Sequence, residues 1–559
     1  MAHTETTEEY LSSDKATVVP ANAFPFAVLP EEPELEVIKK YLPHNAVTTV
    51  HGRTVLFPVS PEELKEVCVT LSATHGLPLK TMFASDMRGS DGSFRISYVF
   101  GVPKENYFLV PYLRLVDTLE FPSLAGVLYA TALYEPHIKE MFGLMPVGFP
   151  GDKVQPSILH GGWPKDTFPM RKDFVQKTQA HREHTEGLQY AFHEVGGDGM
   201  YEVPVGPVHA GIIEPGHFRF SMAGEVIVKL EPKLGWVHKG SEKLFETLSL
   251  ADKLKLSERI AGDTSFAHGT AFAQAIEELA GVTPSARTNY LRVIFGELER
   301  LANHFNDIGF IMFDTGFNFG GAQCTRLRER VMQINYRLTG SRFLRGVTQF
   351  GGVAHDISDK DKEDVADEVT LLGEELASIL EVARGSSILK NRLEGTGRLT
   401  IEVAKDHDAV GVPARASGLA VDARADFPYA AYSVLHVSPV VFTEGDVEAR
   451  FEVRIAETFA SIKLIKQALL QLPAGGVASE TNTLTLKKNA TIVGITEGWR
   501  GDIVYVVSTD EAGNINRVAV RDPSFINWNL IPHAAPGNVL LDFPLINKSF
   551  NLSYTGYDR

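Results

Sequence analysis

The chain has 559 residues, too many for a single core, so at least two domains are expected. Its 44% hydrophobic and 22% charged residues, with a mean hydropathy of −0.05, fit a globular protein and exclude bulk disorder. Against 54 lysines and arginines stand 70 aspartates and glutamates, a net charge of −16 that disfavours nucleic acid and bare anionic lipid as partners. The two cysteines, Cys68 and Cys324, lie far apart and no C-x-x-C occurs. A disulfide framework, thiolate zinc sites and iron–sulfur clusters held by this chain alone are therefore excluded.

The N-terminus shows no basic segment followed by an apolar run, so no signal peptide is expected. No stretch approaches the roughly 18 apolar residues of a membrane span, so no direct span is expected. Residues 1–30 read as a flexible tail, or an arm that orders against a partner. Residues 31–176 read as an α+β domain. Strands are expected at Arg95–Val102 and Tyr107–Leu115, and helices at Pro61–His75, with Ser60 as N-cap, and at Ser123–Phe142. Residues 177–200 are polar, histidine-rich and glycine-terminated, which marks a linker.

Residues 201–559 form a second, larger domain that opens with an alternating β segment at Phe218–Leu230. A helix rich in small residues follows at Ser257–Ala280, open to close approach by a neighbour. Thr283-Pro284 then starts a long helix whose stripe runs Leu291, Ile294, Phe295, Leu298, Leu301, Phe305, Ile308 and Met312. An acidic helix is expected at Asp359–Arg384, strands within Ala490–Val507, and a loop-rich C-terminus. The fold class is α+β: a small α+β domain, then a mostly helical domain with a long-helix core and small peripheral sheets.

Standard catalytic templates are missing. There is no G-x-G-x-x-G or phosphate-binding loop, no G-x-S-x-G elbow and no H-E-x-x-H. Three local clusters stand out instead. Gly206-Pro207-Val208-His209, then Glu214-Pro215-Gly216-His217-Phe218-Arg219, place two histidines and an arginine on a turn-rich loop. His238-Lys239-Gly240-Ser241-Glu242-Lys243 sets Glu242 at a helix start, where the dipole favours a carboxylate. Glu497-Gly498-Trp499-Arg500-Gly501 holds an arginine between glycines at a strand entry. For any one of these, the plainer reading is a solvated or structurally paired charge.

Taken in order, the clusters resemble the signature segments of nickel–iron hydrogenase large subunits and of the related catalytic-arm subunit of respiratory complex I. Arg259-Ile260-Ala261-Gly262-Asp263-Thr264-Ser265-Phe266-Ala267-His268 resembles the first metal motif, and Arg521-Asp522-Pro523-Ser524-Phe525-Ile526-Asn527 the second. Lys239 stands where the family's usual motif has arginine. Gly411 to Gly418, Asp426 to Tyr429 and the ending Tyr557-Asp558-Arg559 are similar to further family segments. In the first domain, Tyr134 to Gly143 and Pro169 to Phe174 resemble the 30 kDa companion subunit. The layout resembles a formate hydrogenlyase-type large subunit, with 30 kDa-like and 49 kDa-like parts fused.

One departure decides the chemistry. A nickel–iron centre is held by four cysteines, and the corresponding positions here are Ala261, Thr264, Ser524 and Asn527. Hydroxyl and amide oxygens do not replace soft thiolates, so an active hydrogenase is disfavoured. The resemblance implies a core peripheral-arm subunit on the cytoplasmic side of the cytoplasmic membrane. It would bind no cofactor of its own. Electrons would come from the cluster of an iron–sulfur small subunit, alongside ferredoxin-like and membrane subunits, and pass to a quinone or another acceptor. The alternative is a non-catalytic structural or coupling subunit. If the family geometry holds, Glu242, His268, Arg500 and Asp522 converge on the vacated pocket, and His209, His217 and Arg219 form a quinone-pocket loop. Elemental analysis of the purified chain is expected to return nickel far below one atom per chain; a stoichiometric value contradicts this reading.

Overall fold

The computed structural model describes residues 17–18, 35–44, 46–103, 105–151, 154–175, 190–210, 213–435, 437–477 and 484–559. Most of the expected tail and of the expected linker therefore lies outside the described residues. Thr17–Val18 form a short strand paired antiparallel with Val440–Val441 of the second domain.

The first domain is built on a five-stranded sheet in the order Thr49–His51, Thr54–Val59, Tyr107–Leu115, Ser93–Val102, Leu79–Met87. Only the Thr54–Val59 and Tyr107–Leu115 pair is parallel. Both strands expected here are present. The expected helix at Pro61–His75 is shorter, running Leu64–Val69 and then opening into a π turn at Thr70–Thr74. Ser60 and Glu63 make the reciprocal bonds of a cap before it. The expected helix at Ser123–Phe142 is confined to Tyr134–Phe142, because the buried Glu135 carboxylate binds the Ser123 hydroxyl and the Leu124 N–H and folds the entry back on the helix.

Among the described residues the second domain contains five long helices: α1 (Ser265–Ala280), α2 (Ala286–Asp314), α3 (Asn318–Thr339), α4 (Asp359–Arg384) and α5 (Val447–Leu470). The predicted stripe of α2 is fully buried from Leu291 to Met312, facing α3 and α5. Its cap is Ser285, whose hydroxyl accepts the Thr288 N–H, rather than Thr283. The β segment expected at Phe218–Leu230 is a hairpin of His217–Ala223 and Val226–Lys233, turning at Gly224. The C-terminal region is more ordered than its composition suggests. A three-stranded meander (Thr491–Gly498, Gly501–Thr509, Ile515–Arg521) leads into short helices.

That meander joins the two domains. Along Thr491–Gly498 every residue is buried, because both faces are covered. Ile492, Ile503, Tyr505 and Val518 face α1, while Val493, Ile495, Val504 and Val506 alternate onto the first domain's sheet against Leu56, Phe83, Val99 and Phe108. Close approach explains the small residues of α1: a Cβ at Gly494 would fall 2.2 Å from the Ala271 carbonyl. Buried charge adds to the apolar contact. Lys80 of the first domain, 3% exposed, donates to Asp502 at 2.8 Å, and Arg521 donates to the Lys80 carbonyl and to Asp502. Lys80→Met leaves the Asp502–Arg521 pair without its second cation. It is expected to cost about 3–5 kcal/mol by the usual penalty for breaking a buried pair, read as a lowered denaturant midpoint; a loss near zero contradicts this role.

Candidate functional site

The loop between the first two meander strands is only Trp499-Arg500, and Gly411 lets the chain pass directly over it, since a Cβ there would meet the Arg500 carbonyl at 1.9 Å. The packing fixes Arg500 under the turn that opens α1. Its guanidinium makes a two-pronged bond to Asp263 at 2.7 and 2.8 Å, touches the Thr264 hydroxyl at 3.4 Å, and lies 3.8 Å from the Trp499 ring. The Arg500 side chain is 5% exposed but that of Asp263 is 41% exposed, so the pair forms a floor open on one side. Burial pushes the Asp263 carboxyl up, and the Arg500 guanidinium outweighs it and holds the carboxyl below the usual range. Above them lies a cleft of about 290 Å³, rimmed by Ile213, Glu214, Lys548, Asn551 and Tyr554.

The four positions that the resemblance sets against metal ligands carry no thiolate. Ala261 is buried and apolar. Thr264 accepts from the Trp499 indole N–H at 3.1 Å. Ser524 accepts from the Ser553 N–H at 3.0 Å. Asn527 exchanges bonds with the Val410 backbone at 3.3 and 3.0 Å. Both cysteines are sealed elsewhere: Cys68 in the first domain's core, and Cys324 in the second's, where burial pushes its thiol up to about 12. The residues therefore do not fit a nickel–iron pair, which needs thiolates. Among the described residues no group of three or more His, Cys, Asp or Glu side chains is placed to hold a metal ion.

The structure brings together only part of the expected pocket. His268 and Asp522 meet at 3.0 Å, and His268 also contacts the Tyr505 hydroxyl at 3.0 Å, forming a fully buried chain. Burial pushes Asp522 up, but bonds from His268 and the Ser524 N–H, with the Arg500 charge, hold it below the usual range. His268 and Asp522 lie behind the floor, and of the four expected residues only Arg500 lines the cleft. Glu242 does not join them. It is drawn to Arg517 at 2.8 Å, Arg559 at 3.6 Å and the Val520 N–H at 2.8 Å, beside His137 of the first domain.

The expected loop also divides. His209 contacts the Pro207 carbonyl and, at 3.3 Å, the Tyr554 hydroxyl on the cleft rim. His217 bonds the Gly206 carbonyl and packs on Phe192, and Arg219 pairs with Glu202 at 2.6 Å and lies over the same ring. His217 and Arg219 thus serve the hairpin rather than the cleft. Sequence reasoning missed Asp263 and Tyr554 as site residues. Asp263 sits inside the quoted Arg259–His268 segment, two residues before α1 begins, where an acid commonly marks a helix entry; Tyr554 has no local signal.

Residues 314–494 and 486–559 match the respiratory-chain NADH dehydrogenase 49 kDa subunit, and residues 57–180 match its 30 kDa subunit. Formate hydrogenlyase subunit 5 of Escherichia coli is 32% identical over 89% of this chain and 87% of its own length. The chain belongs to this fused complex I and hydrogenase family. Hydrogenase-4 component G of E. coli is 30% identical over 96% of this chain and 91% of its own length. The fused C/D protein of NADH-quinone oxidoreductase from Phocaeicola vulgatus is 30% identical over 70% of this chain and 77% of its own length. Among solved structures, a chain of the membrane-bound sulfane sulfur reductase, an archaeal respiratory membrane complex, aligns with a TM-score of 0.60 at 29% identity, covering 64% of this chain and 98% of that one. The chain is thus a hydrogenase-related, complex I-like oxidoreductase subunit. No helix among its described residues is long and apolar enough to cross a membrane.

Glu242 gives this part of the fold a pH dependence. Burial pushes its carboxyl up, but Arg517, Arg559 and His137 hold it down to about 2, from an ordinary 4.5. A carboxylate lowered on folding stabilises above its unfolded value and loses that contribution as pH falls through the folded one. Stability is therefore expected to fall between about pH 4.5 and pH 2, and Glu242→Gln to be less stable at neutral pH by about 3 kcal/mol with a flatter acid limb. Denaturant midpoints measured across that window check it.

Proposed function

We propose that this chain is the core peripheral-arm subunit of a membrane-associated, complex I-like redox assembly. It takes electrons from the cluster of a neighbouring iron–sulfur subunit and passes them to a quinone or another acceptor in the Asp263–Arg500 cleft. The assembly, with ferredoxin-like and membrane subunits, couples this step to ion translocation, with this chain on the cytoplasmic side of the cytoplasmic membrane. The relatives' names, formate hydrogenlyase, NADH-quinone oxidoreductase and sulfane sulfur reductase, support a redox assembly and differ in the acceptor.

The observation that carries the reading is the placement of the cleft. It opens on Gly262 and Asp263, directly beside Ala261 and Thr264, within the segment that resembles the first metal motif of nickel–iron hydrogenases. Arg500 is followed by a glycine and fixed by Asp263, so its charge stays at the floor while the Asp263 carboxylate reaches the cleft. A guanidinium there steadies negative charge that builds on a reduced acceptor, and a carboxylate there receives and releases protons. Quinone reduction takes two electrons from the cluster and two protons from the cleft. Tyr554, held by His209, closes the rim with a hydroxyl.

One observation favours the structural alternative. Four of the five N–H groups of Arg500 are already engaged, that of Nε by the Asn551 carbonyl, both of Nη1 by Asp263 and Thr264, and one of Nη2 by Asp263. Turnover separates the two. In the purified complex with a soluble ubiquinone analogue, Arg500→Ala is expected to lower kcat by about 100-fold, the scale of one lost charge-stabilising donor, with partner subunits still bound. Unchanged turnover in an intact complex favours the non-catalytic role.

A further inference from the structure

Helix α2 carries a carboxyl that no step above uses. Glu299, 6% exposed, points at the first turn of α1, where its oxygens accept the Phe266 N–H at 2.7 Å and the Ala267 N–H at 3.1 Å. One turn further along α2, Asn303 ties the same helix to the Asp263 carbonyl at 3.0 Å. Glu299 and Asp263 both line a second, narrow cavity between α2, α3 and the loop after α3. Asp263 lines the acceptor cleft as well, and so stands between the two spaces.

The narrow cavity is polar. The Asn335 side-chain oxygen, in a residue 1% exposed, and the Arg328 Nε are both buried on its wall without a partner. Its free space is about 10 Å³, about the size of one water, and unpartnered polar atoms are what holds such a water in place. The outer wall reaches solvent at Phe343, 40% exposed, and at Arg342, whose side chain is 42% exposed.

We propose that Glu299 is the proton donor that resupplies Asp263, through a water in this cavity, while the acceptor cleft is being reduced. The proposal rests on the function proposed above. Electrons come from the iron–sulfur cluster of the neighbouring subunit; this route carries protons only. A proton leaves the Glu299 carboxyl, crosses the water to the Asp263 carboxylate and passes into the cleft, and Glu299 regains a proton from solvent at the Arg342 mouth. The charges facing Glu299 agree with a proton-holding role. Burial and the Asp263 charge push its carboxyl up to about 8, against Arg300 on its own helix and the two backbone N–H groups. Arg328 on α3 and Arg342 after it also line the cavity, and Arg345 holds the Gly262 carbonyl beside it. Asp263 stays ionised beside Arg500, so it passes a proton on rather than storing it.

The test uses the intact complex, with Glu299→Gln, Glu299→Asp and Asn335→Leu; the last disturbs the water and leaves the bonds at the start of α1 untouched. With a soluble ubiquinone analogue, E299Q is expected to lose about 100-fold in kcat, the scale of a lost general acid. KM should stay within twofold and the rate of cluster reduction should not change. Glu299→Asp should recover part of kcat, N335L should lie between, and the wild type should slow above about pH 8. Turnover within twofold of wild type for both E299Q and N335L overturns the relay and leaves the proposed function standing. If the wild type reduces no quinone analogue, quinone as the acceptor of the proposed function fails, and infrared spectroscopy decides the relay. A protonated-carboxyl band that E299Q removes, and whose exchange in D2O N335L slows, supports the route; a band unchanged in E299Q overturns it.

Discussion

The second domain is organised by charge sealed where α2 crosses α5. Arg415 binds Glu457 at 2.6 Å and Glu497 at 3.0 Å, Arg424 binds Asp422 at 2.6 Å and Glu297 at 2.9 Å, and Arg300 spans Glu297 and Glu457 while donating to the Glu497 carbonyl. Each of these side chains is 5% exposed or less. Three arginines against four acids would leave an excess negative charge in a low dielectric. Burial and the neighbouring Asp422 accordingly push Glu497 well up, against the Arg415 charge. Glu497 lies near the end of the strand that leads into Trp499-Arg500, so the network sets the position of the candidate site.

This constraint also explains what was legible in the sequence. The long helix α2 declared itself through a period that needs only local information, and so did the alternating strands. The two-faced burial of Thr491–Gly498 was less legible, since Thr491, Thr496 and Glu497 break the apolar run and nothing local says what covers either face. The site was legible where a residue's neighbours in sequence fix it. Nearby glycines marked Arg500. It was not legible where the partner is remote: Asp263 meets Arg500 across 237 positions, and Glu242 is held by Arg517 and the last residue, Arg559. Four family motifs in the right order do not state that their side chains share one cavity, because each acid goes to whichever buried cation lacks a partner.

The first domain is part of the same arrangement. Its sheet covers one face of the meander while α1 covers the other, so the strand leading into Arg500 has no free face on which to shift. Lys80 and the Arg521–Asp502 pair pin that sandwich at the strand ends nearest the site. His137, in the segment that resembles the 30 kDa subunit, meets Arg559 at 3.2 Å, and Arg559 lies over the Phe525 ring in the second motif. Fusing the two subunits in one chain keeps these contacts intramolecular, and the second motif is then packed by residues of both.

The four positions that the resemblance sets against metal ligands have one physical account. A polar side chain in a sealed site must find a partner, at about 1–3 kcal/mol when it does not. Thr264, Ser524 and Asn527 each find one in the backbone or in Trp499, and Ala261 removes the polar group altogether. The acids and bases around them then pair among themselves: Asp522 with His268, Asp263 with Arg500. What remains open is the side where Asp263 is exposed. Asp263 is also the point where the cleft and the cavity behind it meet, since it lines both.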